Sequence, residues 1–310
     1  MARWAKIGCC WLGLLCCLLA ACGKSAPDSG YAPTLVAPAR LAKLPEYTFA
    51  VTPMSNFRDI YDVFQPIVDQ LNAGLPDARL VLEVPRGLAE HEQQLEARNF
   101  AFALSNPYHS WRAVRHSGYR IFAKMGDDAA FRGIWVVRKG SPVATLADLK
   151  GKKVCFPPKS ALAATMMTQL QLKQAGIDPA RDLQVDYVGS QHASIMAVYM
   201  NSVDAGATWP LAWATFQRQH PEQAEQLEVR FPTESLVNQA IVARDDVPPD
   251  LVRRVGRLLT EMHDTEQGRA LLAKVPVTRF EPARADDYDV VRVFLDKYRQ
   301  AFPDDTDARP

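Results

Sequence analysis

Cysteine is almost absent from the body of this 310-residue sequence. Of its six cysteines, only Cys155 lies beyond residue 22. A disulfide framework is therefore excluded, and with it the class of small secreted domains that disulfides hold together. Cys155 stands in a short apolar run, where a cysteine usually acts as a small buried hydrophobic residue. Because neither a second cysteine nor an evident base accompanies it, a nucleophilic role is disfavoured.

Catalytic and metal-binding motifs are lacking as well. The sequence has no metal-spaced histidine pair, no Gly-x-Ser-x-Gly elbow and no P-loop, and its six histidines are scattered. We therefore predict that the protein is not an enzyme and uses neither a metal nor a cofactor.

An excess of charge of either sign is missing too. Leaving out Arg3 and Lys6, which lie in a segment that we expect to be removed, 34 basic residues face 35 acidic ones. No basic run occurs, which argues against a nucleic-acid partner. Hydrophobic residues make up 48% and charged residues 23% of the sequence. This composition and length indicate a globular protein with two domains or one large one.

Residues 1–21 have the pattern of a secretory signal peptide. A positive start precedes the apolar run Ile7–Ala21, which is shorter than the roughly 20 residues of a membrane span. The run ends in Leu19-Ala20-Ala21-Cys22, which resembles the lipobox of bacterial lipoproteins, in which the cysteine is lipidated and becomes the new N-terminus. The resemblance implies a lipid anchor at Cys22 on the periplasmic side of a bacterial membrane, inner or outer. Residues 22–45, rich in Ala and Pro, are predicted to form a tether.

From residue 46 onward, strand patterns alternate with helix patterns, which predicts an α/β fold with parallel sheets. The pattern breaks near residue 138, and a second series of strands and helices follows. We expect a first lobe over 46–137, a second lobe over 138–235, and a return of 236–310 to the first lobe with C-terminal helices. Ligands of such sheets bind at the carboxyl ends of the strands.

The stretch Val154–Gln174 joins a predicted strand to a predicted helix. Two prolines after Phe156 force a turn, and we predict that Ser160 caps a helix reaching Ala175. The unpaired N–H groups of a helix start attract anions, and Lys159 adds a positive charge beside them. The sequence thus predicts an anion site here, and the alternative is an ordinary capped helix after a proline turn.

Several segments together resemble one protein family. They are Asp148-Leu-Lys-Gly-Lys-Lys-Val, Lys173-Gln-Ala-Gly-Ile-Asp-Pro-Ala-Arg-Asp, Val188-Gly-Ser-Gln-His-Ala-Ser-Ile-Met-Ala-Val, Val203-Asp-Ala-Gly-Ala and Phe100-Ala-Phe-Ala-Leu-Ser-Asn-Pro-Tyr. They are similar to segments of the phosphate, phosphite and phosphonate (PhnD-like) substrate-binding proteins of ABC transporters. The resemblance implies a bilobal type II periplasmic binding protein fold that closes on a small oxyanion.

The resemblance also implies ligand contacts in the turn that opens the second-lobe helix, in the Gly-Ser-Gln-His turn and in a first-lobe loop. We add Ser55, because it follows the first predicted strand and is expected to face the cleft between the lobes. We also add Trp209, because pockets favour aromatic side chains as walls. The candidate ligand-binding residues are Lys159, Ser160, Ala161, Gln191, His192, Ser105, Asn106, Tyr108, Ser55 and Trp209. For each, ordinary capping, core packing or solvent exposure is the alternative.

Two departures from the family pattern leave the anion undefined. The family's hydroxyl-rich Ser-Thr-Ser-Gly segment is here Lys159-Ser160-Ala161-Leu162, and its His-Asp pair is Gln191-His192.

The prediction is a monomeric solute-binding lipoprotein that delivers a small anion to an ABC permease and its ATPase. Its hinge is expected near Val137–Lys139 and Thr233–Val237. Two alternatives are a sensing module that presents the bound solute to a membrane receptor or kinase, and an envelope hydrolase.

Overall fold

The computed structural model describes residues 44–54, 56–275 and 277–304. The predicted signal peptide, nearly all of the predicted tether, Cys22 and Ser55 lie outside the described residues. None of the described helices is long and apolar enough to cross a membrane.

Eleven strands occur in the described chain, in two sheets. They are β1 (Glu46–Val51), β2 (Arg79–Glu83), β3 (Phe102–Ser105), β4 (Tyr119–Met125), β5 (Ile134–Arg138), β6 (Lys153–Phe156), β7 (Gln184–Tyr187), β8 (Ala205–Thr208), β9 (Leu227–Arg230), β10 (Ala240–Arg244) and β11 (Phe280–Pro282). The first sheet has the order β11-β4-β10-β3-β1-β2, and the second has the order β7-β6-β8-β5-β9.

Helices connect these strands and cover the sheets. They are α1 (Phe57–Ala73), α2 (Leu88–Glu96), α3 (Pro107–His116), α4 (Thr168–Gln174), α5 (Pro179–Asp182), α6 (Gln191–Tyr199), α7 (Pro210–Gln219), α8 (Pro221–Ala224), α9 (Pro249–Thr260), α10 (Glu266–Leu272) and α11 (Asp289–Ala301). A π-helical segment, Leu162–Met167, leads directly into α4. Short 3-10 turns lie at Asp128–Ala130, Leu146–Leu149, Met262–Asp264 and Ala285–Tyr288.

Both sheets are mixed, whereas the sequence predicted parallel pairing. β1 pairs in parallel with β2 and β3, and β6 pairs in parallel with β7 and β8. β5 and β10 run antiparallel to their neighbours on both sides. A strand–helix–strand repeat keeps the strand direction constant, but β5 and β10 each follow a crossing from the other sheet and enter the new sheet in the opposite direction.

The two crossings, residues 126–133 and 231–239, are hydrogen-bonded to each other. The backbone N–H of Thr233 donates to the carbonyl of Gly133 at 2.9 Å, and the backbone N–H of Leu236 donates to the carbonyl of Phe131 at 3.0 Å. The expected hinge segment Thr233–Val237 lies within the second crossing. The lobe boundary expected between residues 137 and 138 lies at the end of β5, which already belongs to the second sheet. The chain therefore passes from the first sheet to the second before that boundary.

Helix α6 packs directly on β8 and beside Cys155. A Cβ atom at Gly206 would lie 2.6 Å from the carbonyl oxygen of Ser194 and 2.9 Å from Cγ2 of Val198. The predicted burial of Cys155 is confirmed, since its thiol is fully buried with Sγ 3.4 Å from the hydroxyl of Ser194. Burial raises the pKa of this thiol to about 11, which keeps it protonated at neutral pH.

We expect Gly206→Ala to lower the free energy of unfolding by about 1–3 kcal/mol, because the added methyl group forces α6 away from β8. Gly87→Ala is the matched control, since a Cβ atom there meets no other atom within 4 Å. Urea unfolding of both variants measures the difference. Equal stability of the two variants would contradict close packing of α6 on β8.

Candidate functional site

A cavity of about 40 Å³ lies between the two sheets, and both of them contribute to its wall. Because one water molecule needs roughly 10–15 Å³ of such space, the cavity suits a ligand of a few heavy atoms. Its lining residues are Thr52, Pro53, Met54, Leu88, Asn106, Phe131, Ala161, Leu162, Ala163, Ala164, Gln191, Trp209 and Gln239.

Larger grooves lie elsewhere on the surface. One of them, of about 750 Å³, is open and is formed by residues near the start of β1 and by the arginines of α9. It belongs to the first sheet alone and lies at the amino end of β1. The cavity between the sheets, in contrast, lies where strands of both sheets end, which is where α/β proteins bind ligands.

Several helices begin at this cavity. Asn106 precedes α3, Trp209 precedes α7, and Gln191 is the first residue of α6. The π-helical segment begins beside them at Leu162. The first N–H groups of a helix have no acceptor within it, and the helix dipole makes this end positive. Helix starts, whose dipoles favour an anion, therefore lie beside the cavity, and the side chains of Asn106 and Ser190 already accept from one N–H of α3 and one of α6.

The predicted role of Ser160 as the helix cap is wrong. The backbone N–H of Ala161 donates to the carbonyl of Pro158 at 2.9 Å, which closes a turn before the helix starts. The helix begins at Leu162, with Ala161 in the cap position and no capping side chain. The helix cap thus lies one residue later than predicted. Ser160 instead accepts a hydrogen bond on its carbonyl from Nδ2 of Asn106, at 3.3 Å across the cleft.

Four of the predicted site residues lie together in the cavity wall: Asn106, Ala161, Gln191 and Trp209. Asn106 also caps α3, since its Oδ1 accepts from the backbone N–H of His109 at 2.9 Å. The hydroxyl of Thr208 donates to Oε1 of Gln191 at 2.9 Å, which leaves the amide NH₂ of Gln191 to donate to a ligand. The ring of Trp209 packs edge-on against Phe131, with centroids 5.7 Å apart.

Two other predicted residues point away from the cavity. Ser105 is fully buried and its hydroxyl lies 2.6 Å from Nε2 of His91. Tyr108 is also buried, with the guanidinium of Arg112 5.7 Å from its ring centroid. Both belong to the interior behind the cleft, so they support the loop that carries Asn106 without lining the cavity.

Lys159 and His192 are exposed and lie outside this cavity wall. The ammonium group of Lys159 lies 5.8 Å from the ring centroid of Tyr187. The imidazole of His192 packs against the phenyl ring of Phe216 and the imidazole of His220, with centroids 5.7 and 5.1 Å apart. It also lines a smaller neighbouring cavity. Desolvation by the rings packed against one side of the imidazole, with the charge of His220 adding to it, lowers the pKa of His192.

Sequence reasoning missed two polar residues of the cavity, Thr52 and Gln239. Each is 2% exposed, and Oγ1 of Thr52 and Oε1 of Gln239 have no hydrogen-bond partner among the described residues. Thr52 directly follows β1, so the rule that ligands bind at strand ends was a usable signal for it. Gln239 lies on the return crossing, where nothing in the local sequence marks it.

The cavity wall carries no formal charge within the described chain, because neither a basic nor an acidic residue lines it. No group of three or more metal-ligating side chains occurs among the described residues either. The chemistry that the cavity offers is hydrogen bonding to a small, negatively charged or polar molecule.

Comparison with known proteins agrees with this geometry. Residues 49–288 match the family model of the periplasmic substrate-binding proteins of phosphonate ABC transporters. The chain belongs to this family. The family resemblance seen in the sequence is thereby confirmed.

One curated relative of this phosphonate-family protein is the probable ABC transporter phosphite-binding protein PhnD1 of Prochlorococcus marinus strain MIT 9301. It is 24% identical over 135 residues, which span 41% of this chain and 46% of the relative. The match thus covers less than half the length of that relative.

Solved structures share the fold, and the predicted bilobal α/β architecture is confirmed. A binding protein of an ABC phosphonate transporter from Pseudomonas aeruginosa superposes with a TM-score of 0.77 at 15% identity, covering 85% of this chain and 90% of that one. PhnD1 of Prochlorococcus marinus in complex with methylphosphonate gives 0.74 at 17% identity, covering 82% and 98%. The aliphatic sulphonate-binding protein SsuA of Escherichia coli gives 0.58 at 16% identity, covering 83% and 87%.

The buried His91 behind the cleft makes stability depend on pH. Burial, with neighbouring His109 adding to it, lowers the pKa of His91 from 6.5 to about 3 in the folded protein. Between these values the unfolded chain binds a proton that the folded chain does not. The free energy of unfolding should therefore fall as the pH drops below 6.5, by up to about 1.4 kcal/mol per pH unit.

His91→Gln should flatten this dependence, because the amide has no proton to gain. His116→Gln is the matched control, because His116 is exposed at the end of α3. This variant should keep the wild-type dependence of stability on pH. Urea unfolding between pH 4 and 7 measures both. An unchanged slope in His91→Gln would show that another group is responsible.

Proposed function

We propose that this protein binds a small phosphonate-class oxyanion in the cavity between its lobes and delivers it to an ABC permease and ATPase. The observation that carries the proposal is the convergence of helix starts and of the polar groups of Thr52, Asn106, Gln191 and Gln239 on one small cavity. Family membership points to the same ligand class. The complex of the structural relative PhnD1 with methylphosphonate adds support.

Electrostatics at this site come from the backbone. A helix start carries roughly half a positive elementary charge, and several starts together favour an anion without a lysine or arginine. The amide of Gln191 and the hydroxyl of Thr52 would add directional donors. Among the described lining residues no nucleophile stands beside a base, which supports binding over hydrolysis.

The remaining parts of the proposal concern the setting. A periplasmic position follows from the family, and the lipobox-like sequence at Cys22 would hold a monomeric protein on the membrane by a lipid. The parts of the chain that cross between the sheets, 126–133 and 231–239, would act as the hinge on which the lobes open.

A thermal-shift screen tests the ligand class. Methylphosphonate, phosphite or phosphate at 100-fold over its dissociation constant should stabilise the folded protein by about 2.7 kcal/mol. Nitrate and chloride at the same ionic strength are controls for salt effects. If none of the phosphorus oxyanions raised the melting temperature, the proposed function would be wrong.

Thr52→Val should weaken ligand binding roughly ten- to hundred-fold, since it removes a donor to a charged ligand. It should leave the stability of the unliganded protein unchanged or slightly higher, because it deletes a buried hydroxyl that has no hydrogen-bond partner among the described residues. Titration calorimetry and urea unfolding give the two quantities.

Thr260→Val makes the same exchange on α9, where the hydroxyl donates to the carbonyl of Gly256 at 3.0 Å. It should keep the wild-type affinity. Equal affinities of the two variants would remove Thr52 from the site.

A further inference from the structure

Gln239 brings a hydrogen-bond acceptor into the cavity. The residue lies on the return crossing just before β10 and is almost fully buried. Its Nε2 donates to Sδ of Met54 at 3.2 Å, and its Oε1 has no hydrogen-bond partner among the described residues. Both Gln239 and Met54 line the cavity.

The chemistry of Met54 determines which way the amide faces. A thioether sulfur accepts weakly and has no hydrogen to donate. Reversing the amide would place its oxygen against the lone pairs of the sulfur and lose the hydrogen bond. The backbone holds the residue in place as well, because its carbonyl accepts from the N–H of Met125 at 2.9 Å and its N–H donates to Oδ1 of Asn238 at 2.8 Å. One of the two hydrogens on Nε2 is therefore committed to Met54, and this orientation of the amide leaves Oε1 as an unpaired acceptor for a ligand.

An acceptor in an anion site needs a donor on the ligand. A fully ionised oxyanion has none, so bringing it next to the buried Oε1 would leave that oxygen unpaired and place two negative dipoles in contact. A monoprotonated oxyanion supplies one hydroxyl. Its remaining oxygens accept from Thr52, Gln191 and the helix starts.

The absence of formal charge in the described cavity wall also favours a ligand with a single negative charge. The cost of removing an ion from water rises steeply with its charge. Partial charges at helix starts suit a monoanion better than a dianion, which would call for lysine or arginine.

We infer that Gln239 makes this cavity selective for a monoanionic oxyanion that still carries one acidic hydroxyl, such as a hydrogen alkylphosphonate, over a sulfonate of the same shape. This inference rests on the proposed function, because it concerns the ligand of the same site. The sulfonate leaves Oε1 of Gln239 unpaired, and the discrimination should be roughly ten- to hundred-fold.

Titration calorimetry of the full-length chain with methylphosphonate and methanesulfonate tests the inference. At about pH 5, below the second pKa of roughly 6 known for phosphoryl groups, both ligands are monoanions of similar shape. They then differ in one hydroxyl. Wild-type protein should bind methylphosphonate at least ten-fold more tightly than methanesulfonate.

Gln239→Met keeps the length of the side chain and removes the acceptor. In this variant the affinities for methylphosphonate and methanesulfonate should differ by no more than about three-fold, because binding the sulfonate no longer leaves a buried acceptor unpaired. Gln191→Met is the matched control, because Oε1 of Gln191 already accepts from Thr208 and only its donor faces the ligand. That variant should weaken the binding of both ligands by similar factors and keep the ratio of the two affinities.

The outcomes separate the inference from the proposed function. Equal wild-type affinities for the two ligands, or an unchanged ratio in a folded Gln239→Met protein, would overturn the role of Gln239 and leave the phosphonate proposal standing. Tighter binding of the sulfonate would overturn both the role of Gln239 and the assignment of the ligand to the phosphonate class. No binding of methylphosphonate, phosphite or phosphate at millimolar concentration would overturn the proposed function, and the inference with it. The wild-type comparison decides even if the variant fails to fold.

Discussion

The pairing of the two crossings, at Gly133 with Thr233 and at Phe131 with Leu236, is the constraint on which the site depends. It joins the two sheets, and the strands that follow the crossings, β5 and β10, run antiparallel to their neighbours. The chain segments that follow β1, β3, β6 and β8 line one cavity, and helices begin beside them. A cavity surrounded by helix starts is thus a consequence of how the chain crosses between sheets, before any side chain is considered.

Polar side chains then give this cavity its chemistry. Asn106 has two functions, because Oδ1 caps α3 while Nδ2 reaches the carbonyl of Ser160 on the opposite side of the cleft. Thr52 and Gln239 have buried polar atoms that find no hydrogen-bond partner in the described part of the chain, which is costly in an unliganded protein. Such a cost is common where a ligand completes the hydrogen bonding, and it distinguishes the cavity from the fully paired interior around Ser194 and Cys155.

The interior behind the cleft supports the binding loop. Ser105 and Tyr108 flank Asn106 in sequence, yet both are turned inward, Ser105 toward His91 and Tyr108 toward Arg112. They hold the strand end and the first turn of α3 in position. A residue can thus belong to a ligand-binding motif in sequence and serve it only through packing.

Local sequence determined the elements of this protein. The spacing of Ile60, Phe64, Ile67 and Leu71 marks the buried face of α1, and Asn106-Pro107 marks the start of α3. These features depend on residues a few positions apart, because helix periodicity and capping are local. The alternation of strands and helices and the family motifs were sufficient to predict two α/β lobes and the regions of the cleft.

Tertiary structure decided which side chains enter the cavity. The contact between Asn106 and Ser160 joins residues 54 positions apart, and that between Met54 and Gln239 joins residues 185 apart. Which face of a strand end is turned to the cleft depends on the register of its neighbours and on the direction in which the crossings enter the sheets. Local pattern carries no record of either, so it placed Ser160 in a cap that Ala161 occupies and did not indicate Gln239. The family resemblance is what pointed to Asn106 and Gln191.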